Sequence, residues 1–315
     1  MANRALMESL AKNAAAAPLS NGKRLIHKIA RIALHENWMI GWVDEPIANA
    51  LRWKTCPKVN WIGARSKKRY FADPFAWPGK PGTVLCEEYD FALRLGRLKL
   101  LTLNGGRIAS EADVSLPLPG HLSFPYLFEH VRETYLIPES CHARKLAIFK
   151  YGEEGFELFA TPLEEVAAGD SVLFRHNGLF WIAYTDLGLN PFDNLNVCYA
   201  ESLAGPWKAH PGNPVKRGLT NSRCAGTLFT VKGELFRPAQ DCTKTYGGAI
   251  RILRVTECTP EHFAEEEVNL ILPHQGLNPH GFHTLSAWGN RCLVDGKRML
   301  FSPRRVLAKL RRRCD

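Results

Sequence analysis

Three acidic side chains stand where short apolar runs begin or end: Asp73 in FADPFAW, Glu139 near the close of TYLIPES and Asp170 in GDSVLF. Carboxyl groups on both sides of an anomeric carbon can work a glycosidic bond, one ionised and one carrying a proton. A third charge nearby pushes their pKa values apart. The positions suggest Asp73 as base, Glu139 as acid and Asp170 as the group that orients or tunes them. Glu88 and Asp241 fall close to the same register and join the candidates. The bland alternative is that acids and prolines bound strands because they suit turns.

A second set of polar residues lies inside apolar context. Arg237, Gln240 and Asp241 sit in LFRPAQD, Arg223 precedes them in NSRCAGTLF, and Tyr246 follows. Burying an unpaired guanidinium is costly. Arg223 and Arg237 therefore call either for a ligand hydroxyl, carboxylate or phosphate or for an internal partner, Arg223 with Asp170 and Arg237 with Asp241. His280 and His283 in NPHGFHTLS are three apart, but the glycine and proline around them predict a loop, which offers a site histidine at His283 rather than a helical metal pair. Tyr126, Trp181, Tyr184 and Trp207 could stack on sugar rings or fill the core. HExxH, GxSxG and Walker A patterns are absent, and no cofactor or metal is expected.

What could gather such scattered residues is a repeat. FADPFAW returns as HLSFPYLF, GDSVLF, AGTLF and, more weakly, FHTLSAW. With Trp77, Phe128, Phe174 and Phe229 equivalent, the copies are about 46 to 55 residues apart. Eleven residues after each aromatic come Glu88, Glu139, Thr185 and Gln240. Each closes a second β-like run, and a third run follows. That period predicts an all-β fold, a five-bladed β-propeller in which matching positions encircle one axis.

The expected blades begin near Tyr70, His121, Asp170, Ser222 and Leu270. Residues 1–45 are expected as an N-terminal helical extension, 46–302 as the propeller and 303–315 as a basic tail. GKRLIHKIARIALH sets an apolar helical face against lysines and arginines, suited to core packing or to an anionic membrane surface. TECTPEHFAEEEV is expected to form a turn and a short helix capped by Thr259, and GNRC and DGKR to be hairpin turns.

Composition narrows the function classes. Of the net charge of +10, half lies in the last dozen residues, and no nucleic-acid-binding signature occupies the remainder, so no nucleic acid partner is expected. The nine cysteines are scattered and odd in number, which argues against a disulfide framework and for a reducing cytoplasm. A secretory signal and an 18-residue apolar run are both missing. A doubly wound transferase is disfavoured, since it would alternate strands with helices.

FADPF, FPYLFE, YLIPES, GDSVLF, AESLAGPW with HPGNPV, and LFRPAQDC with TYGGAI resemble the N-terminal domain of plant glucosamine inositolphosphorylceramide transferases and its stand-alone bacterial relatives, over roughly Trp38 to Lys297. More distantly, Ala72–Pro74 is similar to the catalytic-base motif of glycoside hydrolase family 43. That resemblance implies a five-bladed propeller with Asp73 as base. The hydrolase pattern has an aspartate in the second blade, where this chain has Ser123–Phe124, and a glutamate in the third, near Asp170. Glu139 has no counterpart in it. In the plant proteins the transferase fold is a separate C-terminal domain. The expectation is an enzyme that transfers or hydrolyses a sugar in bacterial surface polysaccharide or glycolipid assembly. Its substrate would be a carbohydrate, nucleotide sugar or glycolipid, and its basic ends would rest on the inner membrane face. The alternative is a non-catalytic propeller that binds a glycan or glycolipid headgroup.

Overall fold

A computed structural model describes residues 34–63 and 66–301. The basic stretch before Leu34 and the tail from 303 lie outside the described residues. Two compact units divide the chain: Trp38–Gly296, and the flanking residues on either side of it. Within the flanking unit, Lys297 Nζ meets Glu36 Oε1 at 3.0 Å.

The first two strands, β1 (Leu34–Val43) and β2 (Asn60–Trp61), belong to the last sheet. Between them Pro46 opens a single 3-10 turn at Ile47–Leu51, where a short helix is expected from the proline. Blade one is β3 (Arg69–Ala76), β4 (Thr83–Asp90), β5 (Leu95–Asn104) and β6 (Arg107–Val114). Blade two is β7 (Ser123–His130), β8 (Glu133–Glu139), β9 (Lys145–Gly152) and β10 (Gly155–Glu164). Blade three is β11 (Ala168–His176), β12 (Leu179–Asp186) and β13 (Asn194–Ala200), edged by β14 (Lys208–Ala209) and β15 (Lys216–Arg217). Blade four is β16 (Phe229–Val231), β17 (Glu234–Asp241), β18 (Ala249–Cys258) and β19 (Phe263–Ile271). Blade five runs β20 (Leu285–Trp288), β21 (Arg291–Phe301), β1, β2, so the first of the described strands completes the last sheet. The fold is the expected all-β five-bladed propeller, and blade five takes Leu34–Val43 from the segment expected as an extension.

Two local expectations change. TECTPEHFAEEEV is not a helix. Thr259 Oγ1 accepts from the backbone N–H of Glu261 and His262, which turns the chain. The acids after it become the outer strand β19, because they face arginines of β18: Glu266 meets Arg254 and Glu267 meets Arg251. DGKR is not a turn either. It lies inside β21, and Gly296 is there for close packing: a Cβ would sit 2.5 Å from the Trp61 ring and 2.9 Å from Asn278 Cβ. GNRC does turn, with Trp288 opposite Arg291.

The core lies between the sheets. Phe75, Leu85, Tyr126, Ile137, Trp181, Val197 and Val255 are among one cluster reaching from blade one to blade four, and Val43, Phe236, Ile250, Phe282 and Val294 are among a second in blades four and five. Blades four and five are also joined by backbone. Leu285 N–H donates to Ala225 at 2.8 Å, and Thr227 N–H donates to Leu285 at 3.1 Å. Gly226 sits between at φ +120°, and its Cβ would fall 2.1 Å from the Leu285 oxygen. Gly226→Ala is expected to cost about 1–3 kcal/mol, read as a lower urea midpoint with an unchanged slope.

Candidate active site

The inner strands of blades one to three share a local break in register, between Ala72 and Phe75, Ser123 and Tyr126, and Gly169 and Val172. One residue at each break is left-handed: Asp73 (φ 51°), Phe124 (φ 43°) and Asp170 (φ 47°). These are β-bulges, which re-aim a side chain and remove a backbone N–H from the ladder. Aspartate tolerates this conformation; phenylalanine rarely does. Phe124 is held there by burial, its ring edge-on to Phe75 at 5.0 Å.

Each freed N–H finds a carboxylate on the neighbouring blade. Asp73 N–H donates to Asp295 Oδ2 at 3.3 Å, Phe124 N–H to Asp73 Oδ2 at 3.2 Å, and Asp170 N–H to Glu139 Oε2 at 3.2 Å. Blade four answers with side chains. Arg223 Nε donates to Asp170 Oδ2, Gln240 Nε2 donates to the same oxygen at 2.7 Å, and Arg223 Nη2 reaches Glu139 Oε2 at 3.4 Å. Blade five supplies His283, with Nδ1 2.6 Å from Asp295 Oδ2 and Nε2 3.3 Å from Asp73 Oδ1. Thr284 Oγ1 donates to Asp73 Oδ1 at 3.0 Å. The internal Arg223–Asp170 partnership weighed from sequence is present, and it lies inside the hub.

Aromatic rings close round this centre. Trp38 stacks on His283 with centroids 3.9 Å apart, Tyr246 meets His283 edge-on at 5.2 Å, and the Arg223 guanidinium lies 5.2 Å from the Tyr246 ring. Gly247 (φ +55°) lets the chain pass His283, since a Cβ would lie 2.5 Å from that residue's Cβ. Trp38 also walls a cleft of about 300 Å³ lined by Ile40, Ile62, Arg69, Tyr70 and Glu111. The hub acids themselves are buried: Asp73, Glu139 and Asp170 are 5%, 8% and 2% exposed.

Burial sets the protonation of Asp73 and Asp170. It pushes Asp73 up to about 6; His283 opposes the rise, while Asp295 and Asp170 add to it. It pushes Asp170 up to about 6 as well, against Arg223 and with Glu139. Burial alone would lower the His283 imidazole, but Asp295 and Asp73 outweigh it and hold that pKa above the ordinary histidine value. Asp73 and Asp170 are therefore poised to exchange protons near neutrality. Asp73, His283 and Asp295 place one ligand atom each within 4.8 Å of one another, a spacing that could hold a metal ion. In the structure those atoms are engaged with each other and with backbone N–H groups.

Of the residues singled out from sequence, Asp73, Glu139, Asp170, Arg223, Gln240, Tyr246 and His283 meet in the hub. Three charged candidates lie elsewhere, and of the candidate stacking rings Tyr126, Trp181 and Tyr184 are buried in the core cluster that Trp207 packs against. Glu88 pairs with Arg69 at 2.7 Å and Lys99 at 3.0 Å on the opposite face of its strand. Arg237 is locked in a bidentate pair with Glu265, at 2.6 and 2.8 Å, not with Asp241. Asp241 instead takes both Arg251 Nε and Nη2 at 2.9 and 2.7 Å. Two hub residues carried no expectation. Asp295 lay in the presumed DGKR turn. Glu87 is the blade-one counterpart of Glu139: Ala72 pairs with Glu87 as Ser123 pairs with Glu139. The blade-one hairpin is one residue shorter, and a one-residue slip exchanges the faces of a strand.

The profile of the family described as glucosamine inositolphosphorylceramide transferase 1, N-terminal, matches residues 29–281. Proteins named glucosamine inositolphosphorylceramide transferase 1 are similar in sequence. The one from Oryza sativa subsp. japonica is 33% identical over 71% of this chain and 31% of its own length, and the one from Arabidopsis thaliana is 31% identical over 63% and 28%. The chain thus spans about a third of the curated relatives it matches. In structure it is similar to an α-L-arabinofuranosidase from Podospora anserina (TM-score 0.52, 13% identity, 79% of this chain and 86% of that one). It is also similar to the catalytic domain of a Coprinopsis cinerea α-L-arabinofuranosidase (TM-score 0.51, 12% identity, 73% and 82%). At such identities the likeness shows a shared fold.

Proposed function

The chain belongs to the glucosamine inositolphosphorylceramide transferase 1 N-terminal family, and from that membership and the hub we propose that the domain acts on a glycosidic bond, transferring or hydrolysing a sugar. The observation that carries this reading is the convergence of Asp73, Glu139 and Asp170, from three blades, with Arg223 and His283. Paired carboxyls with a base near neutrality are what glycosidic chemistry requires. Asp73 acts as base towards an incoming hydroxyl, and a second hub carboxyl gives a proton to the leaving oxygen. Arg223 and Gln240 fix Asp170, which tunes both. The substrate is a carbohydrate, nucleotide sugar or glycolipid of bacterial surface assembly. The site of action is the cytoplasmic membrane face, reached through the basic residues before Leu34 and after Ser302.

A second reading is a propeller that binds a glycan or glycolipid headgroup without turnover. It is favoured by one observation: the hub acids hydrogen-bond neighbouring blades together, a role that needs no chemistry. Purified protein supplied with nucleotide sugars, inositol phospholipid acceptors and simple glycosides separates the two. Turnover is expected, with kcat/KM rising as pH increases through about 6, because Asp73 must lose its proton to act. Saturable binding of the same compounds with no product would favour the binding module.

A further inference from the structure

Glu87 is used by none of the roles above, yet its surroundings are specific. Its side chain is 7% exposed, close to the 6% of Asp73. Its Oε1 lies 3.3 Å from His121 Nε2, in the link between blades one and two. His121 Nδ1 accepts the Gly96 N–H at 2.8 Å. A ring nitrogen that accepts carries no proton, so the imidazole proton sits on Nε2, aimed at Glu87. His121 is therefore a neutral donor. Burial pushes its pKa down to about 4, with His142 adding to the effect. Gly96 is required for this contact, because a Cβ would fall 2.3 Å from Glu87 Oε1 and 2.5 Å from His121 Cε1.

The charged groups that act most strongly on Glu87 are Asp73, Glu139, Asp170 and Asp295, from β3, β8, β11 and β21. All are acids. Asp170 and Glu139 have the Arg223 guanidinium, and Asp73 and Asp295 have His283. Among the described residues Glu87 has a neutral imidazole in place of a cation. Five carboxyls with two cations cannot all ionise in a buried site. Burial and then Asp73 push Glu87 well above the ordinary carboxylate range.

We propose that Glu87 is the resident acid of the hub, protonated at neutral pH and donating to the leaving oxygen in place of Glu139, which a guanidinium holds. The donor role rests on the glycosidic reading; the protonation does not. In the step, the Glu87 O–H bond breaks and its proton passes to the leaving oxygen as that oxygen's bond to the anomeric carbon breaks. Asp73 takes the proton of the incoming alcohol or water, whose oxygen forms the new bond. Glu87, left as carboxylate, regains a proton from solvent.

Infrared spectra of protein carrying ¹³C-labelled glutamate test the protonation. A labelled carboxylic-acid carbonyl band is expected at neutral pH, absent in Glu87→Gln and retained in Glu139→Gln. Should Glu87→Gln fold poorly, the unmutated protein still decides: labelled glutamate that is wholly ionised near pH 7 overturns the proposal. Kinetics test the donation. Glu87→Gln is expected to lose about 10²- to 10⁴-fold in turnover of an alkyl glycoside, and little with a nitrophenyl glycoside, whose leaving group needs no proton. Equal losses on both overturn the donor role. If the acid band is present but no glycoside is turned over, the glycosidic reading fails while the proton stays assigned to Glu87.

Discussion

Asp73→Asn is expected to lower turnover about 10²- to 10⁴-fold, the usual contribution of a positioned base, while leaving the propeller folded. Asparagine is isosteric and keeps one acceptor, so Thr284 can still donate where it now does at 3.0 Å. The amide cannot accept the Phe124 N–H that now meets Asp73 Oδ2 at 3.2 Å, a loss of about 1 kcal/mol. Against this stands relief from burying a charge. The Asp73 carboxyl lies at about 6 in the folded protein and at about 3.9 unfolded. A raised pKa contributes stability that is complete below the unfolded value and is lost as pH rises through the folded one. Above about pH 6 the variant is therefore expected to match or exceed the unmutated protein in urea midpoint, and below about pH 4 to fall behind it. Calorimetric titration with a sugar ligand should show binding retained. Unimpaired turnover in Asp73→Asn would remove Asp73 from the chemistry and leave it a blade-to-blade contact.

The architecture was legible because each blade repeats its inner strand. The apolar frame round Trp77, Phe128, Phe174 and Phe229 marked four blades, and the weaker copy FHTLSAW marked the fifth. The hub was legible where blades keep equal lengths: Glu139 and Thr185 stand opposite Ser123 and Gly169 as the spacing requires. It failed where a hairpin differs by one residue, which put Glu88 in place of Glu87. Asp295 was hidden by the following glycine, a turn signal in sequence that here serves contact with Trp61. The left-handed bulges could not be foreseen from Phe124, a residue that disfavours them. Most instructive is arginine. Arg223 and Arg237 carry the same signal, a guanidinium in an apolar strand context. Which one faces the axis depends on the partner across the sheet, and Glu265 lay in a segment expected to be helical.

Arg237→Met should accordingly damage stability rather than ligand binding. Arg237 is fully buried and makes every bond within blade four and its entry: Glu265 twice, the Asn221 carbonyl at 2.8 Å and the Ser222 carbonyl at 3.2 Å. Methionine fills part of the volume but leaves Glu265 buried with Lys216 alone, at 3.2 Å, and strips two carbonyls of a donor. Breaking a buried pair from one side costs about 3–5 kcal/mol, a large share of the roughly 5–15 kcal/mol available to a folded chain. Removing both partners in Arg237→Met with Glu265→Leu should recover most of the loss, since no uncompensated charge remains; Lys216, at 21% side-chain exposure, can turn to solvent. The pH dependence supplies a second check. Burial would raise the Glu265 carboxyl, but Arg237 and Lys216 outweigh it and hold it below the ordinary range. A lowered pKa contributes stability that is present above the unfolded value, about 4.3, and is lost as pH falls through the folded one. The gap between Arg237→Met and the unmutated protein, measured by urea unfolding, should narrow as pH falls below the unfolded value and through the lower folded one, where Glu265 takes a proton in the unmutated protein as well. A variant that loses sugar affinity yet unfolds within about 1 kcal/mol of the unmutated protein would return Arg237 to the binding site, because surface or ligand-facing arginines cost little in stability.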